Sequence, residues 1–274
     1  MNRRSLTALL VVTLSALTLP ASAAGPTAES IVNQSISAAE VESSLAEHDM
    51  LRLAIRQEET ASDGSTDNRD MTVLFHGGGL DNVRVELGGG VTLVLNNGTG
   101  WAMVRGELDT RVQTPRMAAG TIRQSLFPLL LPYSFRMSGV LLSQTVVEGS
   151  FDGTPAWVLE ANFDPDFFAA PSMLTTWRFF ISREDSSVLG AEFLPPPEFH
   201  SVNDEGVRYR YLKTRTVDGL VLPTQILLDG TDLNGVENGH VRVTKITPKT
   251  VGPLDLTLFV HPDEMKRLDE GDIF

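Results

Sequence analysis

The sequence predicts an α+β fold: a strongly curved antiparallel sheet, in effect an incomplete β-barrel, with an N-terminal helix and a short helical plug or lid. Three observations carry this expectation. Apolar and polar residues alternate at period two through about a dozen short runs, more strands than an open twisted sheet usually carries without curling. Clusters of Gly, Asn and Asp separate the runs and supply the positive φ angles that hairpin turns need. One amphipathic stretch precedes the runs, and one apolar, proline-interrupted segment divides them into two blocks.

Composition narrows the function. The chain has 274 residues, no cysteine, 35 acidic against 22 basic residues and a net charge of −13. Without cysteine there is no disulfide framework, thiolate metal site, iron–sulfur cluster, cysteine nucleophile or lipid-modified cysteine. An acidic chain is repelled by phosphate backbones and anionic headgroups, so nucleic acid is not an expected partner. A hydrophobic content of 42% indicates a packed body.

Residues 1–23 read as a secretory signal peptide. Arg3 and Arg4 give a basic start, residues 6–19 are mostly apolar, and Pro20 precedes Ala21-Ser22-Ala23, an Ala-x-Ala cleavage pattern. The apolar run is short for a bilayer span, which needs about 20 residues. The expected product is residues 24–274, a single domain exported to the periplasm. Residues 126–133, the next best apolar run, are brief and broken by Pro128 and Pro132.

Residues 27–50 then predict one amphipathic helix: Ile31, Val32, Ile36, Ala39, Val41, Leu45 and Ala46 recur at three- and four-residue spacings, with Glu29, Glu40, Glu42 and Glu47 between them. After it come runs of strand length at 52–56, 71–75, 83–87, 91–95 and 101–105. They are separated by Asp63-Gly64-Ser65-Thr66-Asp67-Asn68, Gly77-Gly78-Gly79, Gly88-Gly89-Gly90 and Asn96-Asn97-Gly98-Thr99-Gly100. Such short connections imply an antiparallel meander. A second block follows at 145–151, 156–161, 177–182, 188–193, 207–216, 220–228, 241–246 and 256–260. Between the blocks, residues 114–139 carry Leu126, Phe127, Leu129, Leu130, Leu131, Tyr133, Phe135 and Met137, with prolines that limit any helix to short pieces. A segment apolar on several sides must be buried, and the inner face of the curved sheet is the natural acceptor. It is either a fixed core plug or a movable lid over an apolar cavity.

This order of elements resembles the LolA/LolB family of periplasmic lipoprotein carriers. The local matches are Val91-Thr92-Leu93-Val94-Leu95-Asn96-Asn97-Gly98-Thr99-Gly100-Trp101, the closing Leu258-Phe259-Val260-His261-Pro262-Asp263-Glu264, and the hairpin from Tyr209-Arg210-Tyr211 to Val217-Asp218-Gly219-Leu220-Val221-Leu222-Pro223. The resemblance covers most of residues 24–274 and rests on layout more than motif. It implies a half-barrel whose concave apolar face shields acyl chains, a non-catalytic carrier or chaperone, and partners that are lipoprotein acyl chains or other lipids. Further expected partners are an inner-membrane donor or an outer-membrane acceptor; the chain is expected to be a monomer, and no cofactor is expected. The chain departs from the carriers in its extra strands around residues 207–250 and in lacking a matched basic residue near the lid. The alternative function is an envelope accessory or sensor domain that uses the same fold to bind a partner protein or signal lipid.

Alternation gives candidate lining residues: Val85, Leu93, Trp101 and Met103 from the first block, Leu126, Phe127, Leu130, Leu131 and Phe135 from the insertion, and Trp177, Phe179, Tyr209 and Tyr211 from the second. Each either lines a cavity or fills a core. Catalytic signatures are weak. His76-Gly77-Gly78-Gly79 matches a short oxyanion-hole pattern, but no Gly-x-Ser-x-Gly elbow accompanies it, so a glycine turn explains it better. The five histidines, His48, His76, His200, His240 and His261, are scattered without metal-ligand spacing. The runs from Asp63 and Asp229 lack a full calcium loop and read as solvated turns, and the acids of Asp164-Pro165-Asp166 and of the tail read as surface charge.

Overall fold

The computed structural model describes residues 25–77, 80–200 and 206–269. The expected leader, and Gly78 and Gly79 of the His-Gly-Gly-Gly run, lie outside the described residues. Among those described, no helix is long and apolar enough to cross a membrane.

Among the described residues, thirteen antiparallel strands form one sheet that does not close on itself. The first meander comprises β1 (Met50–Thr60), β2 (Thr66–His76), β3 (Asn82–Leu87), β4 (Val91–Asn96), β5 (Thr99–Val104) and the two-residue β6 (Glu107–Leu108). The second comprises β7 (Val140–Phe151), β8 (Thr154–Phe163), β9 (Trp177–Ser182), β10 (Val188–Phe193), β11 (Gly206–Val217), β12 (Leu220–Thr231) and β13 (Glu237–Thr250). The spatial order runs β6-β5-β4-β3-β2-β1-β13-β12-β11-β10-β9-β8-β7. The first and last strands therefore join the two meanders at the centre, with Ile55 opposite Ile246.

The ends of the first meander and the start of the second, β6 and β7, sit at opposite edges of the sheet. The insertion between them must cross the inner face from edge to edge. It does so through helix α2 (Thr114–Leu126) and two 3-10 turns, Phe127–Leu129 and Tyr133–Arg136. A flat sheet of this many strands would be about 58 Å wide at about 4.8 Å per strand, while the thirteen residues of α2 span about 20 Å. The crossing is possible because the sheet curves round the insertion.

Helix α1 (Ala28–Ala39) is capped by Thr27, whose Oγ1 accepts from Ser30 N at 3.2 Å. The sequence predicts it to residue 50, but it ends eleven residues sooner in register with the sheet: the Val41 and Glu42 amides donate to the Gly219 carbonyl at 2.9 and 3.2 Å. Leu45 and Ala46 fall in a separate 3-10 turn, Leu45–Glu47, closed by a Ser44–Glu47 capping box. Two further expectations change. The turn between β1 and β2 is tighter than 63–68, because strand pairing resumes at Thr66 opposite Thr60. The expected closing strand at 256–260 is a 3-10 turn, Leu256–Leu258, leading to helix α3 (Pro262–Asp269).

The main core lies on the inner face, where α1 and the insertion meet residues from nearly every strand. A smaller cluster on the outer face places Phe259 against Met50, Val94 and Trp101, and Trp101 Nε1 donates to the Phe259 carbonyl at 3.2 Å. Asp229 also departs from expectation. It is 3% exposed and paired with Arg210 at 2.6 Å, so it belongs to a buried ion pair and not to a solvated turn.

Candidate functional site

The interior divides into a filled half and an open half. In the filled half, under β7 to β10, Phe127 is fully buried and meets six rings edge-on: Phe135, Phe163, Phe167, Phe168, Trp177 and Phe179, at centroid distances from 5.3 to 6.4 Å. Such edge-to-face pairs add about 0.5–1.5 kcal/mol each beyond their buried area. Glycines fix α2 from both sides. A Cβ on Gly100 of β5 would come within 2.6 Å of the Ala119 nitrogen, and one on Gly120 within 2.5 Å of the Ala169 nitrogen. Two tyrosines, the buried Tyr133 and the half-buried Tyr211, tie the insertion down: Tyr133 donates to the Ala39 carbonyl at 3.0 Å and Tyr211 to the Pro128 carbonyl at 2.6 Å. Burial pushes both hydroxyls above their ordinary pKa, Glu40 adding to it at Tyr133 and Tyr209 at Tyr211, so both remain donors. This packing seats the insertion as a plug in the sheet.

The open half lies under the central strands. A cavity of about 630 Å³ runs between the insertion and the inner faces of β1, β2 and β10 to β13, within the range of about 300–1,000 Å³ found for small-molecule sites. Thr121, Gln124, Ser125, Pro128 and Leu129 form its roof, and Met173, Phe193, Val207, Tyr209, Ile226 and Leu228 form an apolar wall. Trp177 separates the halves, stacking on Phe193 at 4.4 Å and on Tyr209 at 5.8 Å.

The floor changes polarity along the strands in three cross-strand rows. Met71, Ile55 and Ile246 form an apolar row, Arg69, Gln57 and Thr244 a mixed one, and Asp67, Glu59 and Arg242 a charged one. The charges are closely matched. Glu59 Oε1 accepts from Arg242 at 2.7 Å and from His240 Nε2 at 2.8 Å, and Arg69 meets Asp67 at 2.8 Å. Burial opposes ionisation of Glu59, yet these hydrogen bonds outweigh it and hold its carboxyl at about 2.

The sequence-derived lining residues distribute unevenly around this geometry. Tyr209 borders the cavity. Tyr211 spends its hydroxyl on the plug. Val85, Leu93, Leu126, Phe127, Leu130, Leu131, Phe135, Trp177 and Phe179 are packed in the filled core and do not border the cavity. Trp101 and Met103 lie on the outer face beneath residues 254–259, because β5 presents Ala102 inward. The polar rim at Gln57, Asn68, His240 and Arg242 escaped sequence reasoning. Its only signal was that the inward parity of β1 and β13 continues into polar residues.

Catalytic geometry is not assembled at Ser43 and His48, although Ser43 Oγ and His48 Nε2 are 3.0 Å apart. The hydroxyl donates to the Asp218 carbonyl at 2.6 Å, so the imidazole acts as its donor and not as a base. Among the described residues, no three His, Asp or Glu side chains are grouped to hold a metal ion.

No family model and no curated protein matches the sequence. Solved structures do match the fold. A LolA superfamily protein from Nitrosomonas europaea is 16% identical with a TM-score of 0.58, covering 86% of this chain and 98% of its own. A DUF1329 family protein from Desulfovibrio piger is 11% identical with a TM-score of 0.54 over 86% and 98%. A putative outer membrane lipoprotein-sorting protein domain from Vibrio parahaemolyticus is 8% identical with a TM-score of 0.55 over 86% and 96%. The fold of this chain is thus the LolA-type half-barrel.

Proposed function

We propose that the protein is an exported, non-catalytic carrier that shields lipoprotein acyl chains or other lipids in the cavity under its central strands. The observation that carries this reading is the cavity itself: about 630 Å³, with apolar residues Met173, Phe193, Val207, Ile226 and Leu228 along one wall. Each methylene buried there contributes about 0.8 kcal/mol. About ten of them would give about 8 kcal/mol, a micromolar affinity before association costs. The shared fold and the leader-like residues 1–23 support a periplasmic setting, in which a monomer takes its cargo from an inner-membrane donor and yields it to an outer-membrane acceptor.

Native mass spectrometry with lipid extraction, on protein purified gently from its own envelope, tests the proposal. Acylated species should accompany the wild-type protein and be lost from Leu228→Trp, which fills the cavity from its wall. A ligand-free protein that also fails to take up a fluorescent acyl probe would sink the carrier reading and leave an accessory role in binding a partner protein.

A further inference from the structure

We infer that the outer face of β1 and β13 docks an acidic, extended segment of another protein. This surface lies on the far side of the sheet from the cavity, so the inference is independent of the cargo. On β1, Leu51, Leu53 and Ile55 face the core, and alternation turns Arg52, Ala54 and Arg56 outward. Their partners in register on β13 are Lys249, Thr247 and Lys245. Two pairs of like charges therefore stand directly opposite one another on the outer face. They are about 13 Å apart along the strands, at about 3.3 Å per residue, with the small Ala54 and Thr247 between them.

The two pairs are not equivalent. Glu58 bridges the second, at 3.3 Å from Arg56 and 3.0 Å from Lys245. At the first, both side chains are exposed, and neither Arg52 nor Lys249 has an ion-pair or hydrogen-bond partner among the described residues. Lys213 extends the patch through Gln225, which stands in register with Lys245, and Asp70 stands in register with Arg56. Five cations, Arg52, Arg56, Lys213, Lys245 and Lys249, thus meet two acids, Glu58 and Asp70, in a chain that has 35 acidic and 22 basic residues. Like charges directly opposite one another destabilise a sheet, and an anionic partner turns that repulsion into attraction.

Shape and charge select the partner. A groove over Ala54, Thr72 and Thr247 carries Asp70 and Glu86 on its β2 and β3 side, so an acidic segment fits along β1 and β13 and not across to β3. An anionic membrane would face the whole chain, with its net charge of −13. A single extended segment meets only the patch. Its alternate side chains face the sheet at intervals of about 6.7 Å, so carboxylates four residues apart reach both pairs.

The test is fluorescence anisotropy on the purified protein, with a short fluorescein-labelled peptide of alternating Ser and Glu as the probe. Binding should saturate at low salt and weaken at least about fivefold at physiological ionic strength. Arg52→Gln combined with Lys249→Gln should weaken it at least about tenfold, while Arg136→Gln, which removes a charge from an exposed site elsewhere, should leave it within about twofold. Without peptide, Lys249→Gln should raise Tm by about 1–3 °C at low salt, because it relieves the like-charge pair. The same scan shows that the variant is folded. An unchanged or lowered Tm would remove the premise that the pair is uncompensated. Absence of saturable peptide binding, or equal binding by the double variant, would overturn the inference and leave the carrier reading standing. Sedimentation of the wild type with phosphatidylglycerol vesicles, lost in the double variant and without peptide binding, would overturn it in favour of a lipid surface.

Discussion

Truncating Phe127 and Leu129, neighbours in one 3-10 turn, should have unequal costs if one side of the insertion is filled and the other open. Phe127 is fully buried among six rings, so Phe127→Ala leaves a cavity walled by aromatics that the two glycine contacts prevent from closing. The expected loss is about 4 kcal/mol, within the range of about 3–5 for such truncations. Leu129 is 4% exposed but borders the existing cavity. Its removal enlarges a void that already lacks atoms on one side, and the expected loss is about 2 kcal/mol, at the lower end for leucine. Urea unfolding followed by tryptophan emission measures both, with Trp177 reporting from inside the ring cluster and the slope confirming that each variant unfolds as the wild type does. In thermal scans the difference of about 2 kcal/mol should appear as about 4–8 °C. Equal losses for the two variants would mean that the space beside Leu129 is closed in solution, and the division of the interior would be wrong.

The Glu59 carboxyl ionises more readily in the folded chain than in the unfolded one, so its contribution is complete above about pH 4.5 and disappears as pH falls toward 2. Glu59→Gln should therefore lose about 2 kcal/mol at pH 7 and converge with the wild type at the acid end of a denaturation series; a pH-independent difference would contradict the pairing. Tyr211→Phe leaves the Pro128 carbonyl without its donor; about 1–2 kcal/mol should be lost, with faster hydrogen exchange at residues 126–130. Gly120→Ala forces a methyl against the backbone at Ala169 and should cost more than about 2 kcal/mol, read as a lowered Tm. Trp101→Phe removes the hydrogen bond to Phe259; limited proteolysis should then cut residues 254–262 faster, while acyl-probe affinity stays at the wild-type value, since Trp101 is on the outer face.

The strands were legible where local pattern and local pairing agree. β9 and β10 end at the residues their alternation predicts, because they pair with each other across the short connection at residues 183–187. Helix α1 was overextended because Val41, Leu45 and Ala46 continue a helical spacing that a distant carbonyl, Gly219, interrupts. The run at 256–260 has the composition of a strand but is claimed by Trp101 on the outer face. The cavity was hidden for a related reason. Its floor joins Glu59 to His240, residues 181 positions apart, and no periodicity within β1 or β13 reveals that pairing. Large aromatics were expected to line it, yet rings satisfy one another most fully when clustered, and here they fill the half that the plug occupies.

Topology then accounts for the amphipathic character of the site. Because β6 and β7 lie at opposite edges, the insertion must cross the interior: α2 packs under β3 to β5, and the rings that follow it fill the space under β7 to β10. The central strands are longer than β3 to β6, with 11 residues in β1 and 14 in β13. Their inner faces therefore extend past the end of β3, where Leu87 pairs with Met71. Beyond that row the roof is largely polar, with Thr121, Gln124 and Ser125 facing the cavity, and inward positions there must tolerate water. Gln57, Glu59, Arg69, Arg242 and His240 occupy that stretch. A curved sheet with an edge-to-edge insertion and overhanging central strands thus generates a cavity with an apolar wall and a polar rim.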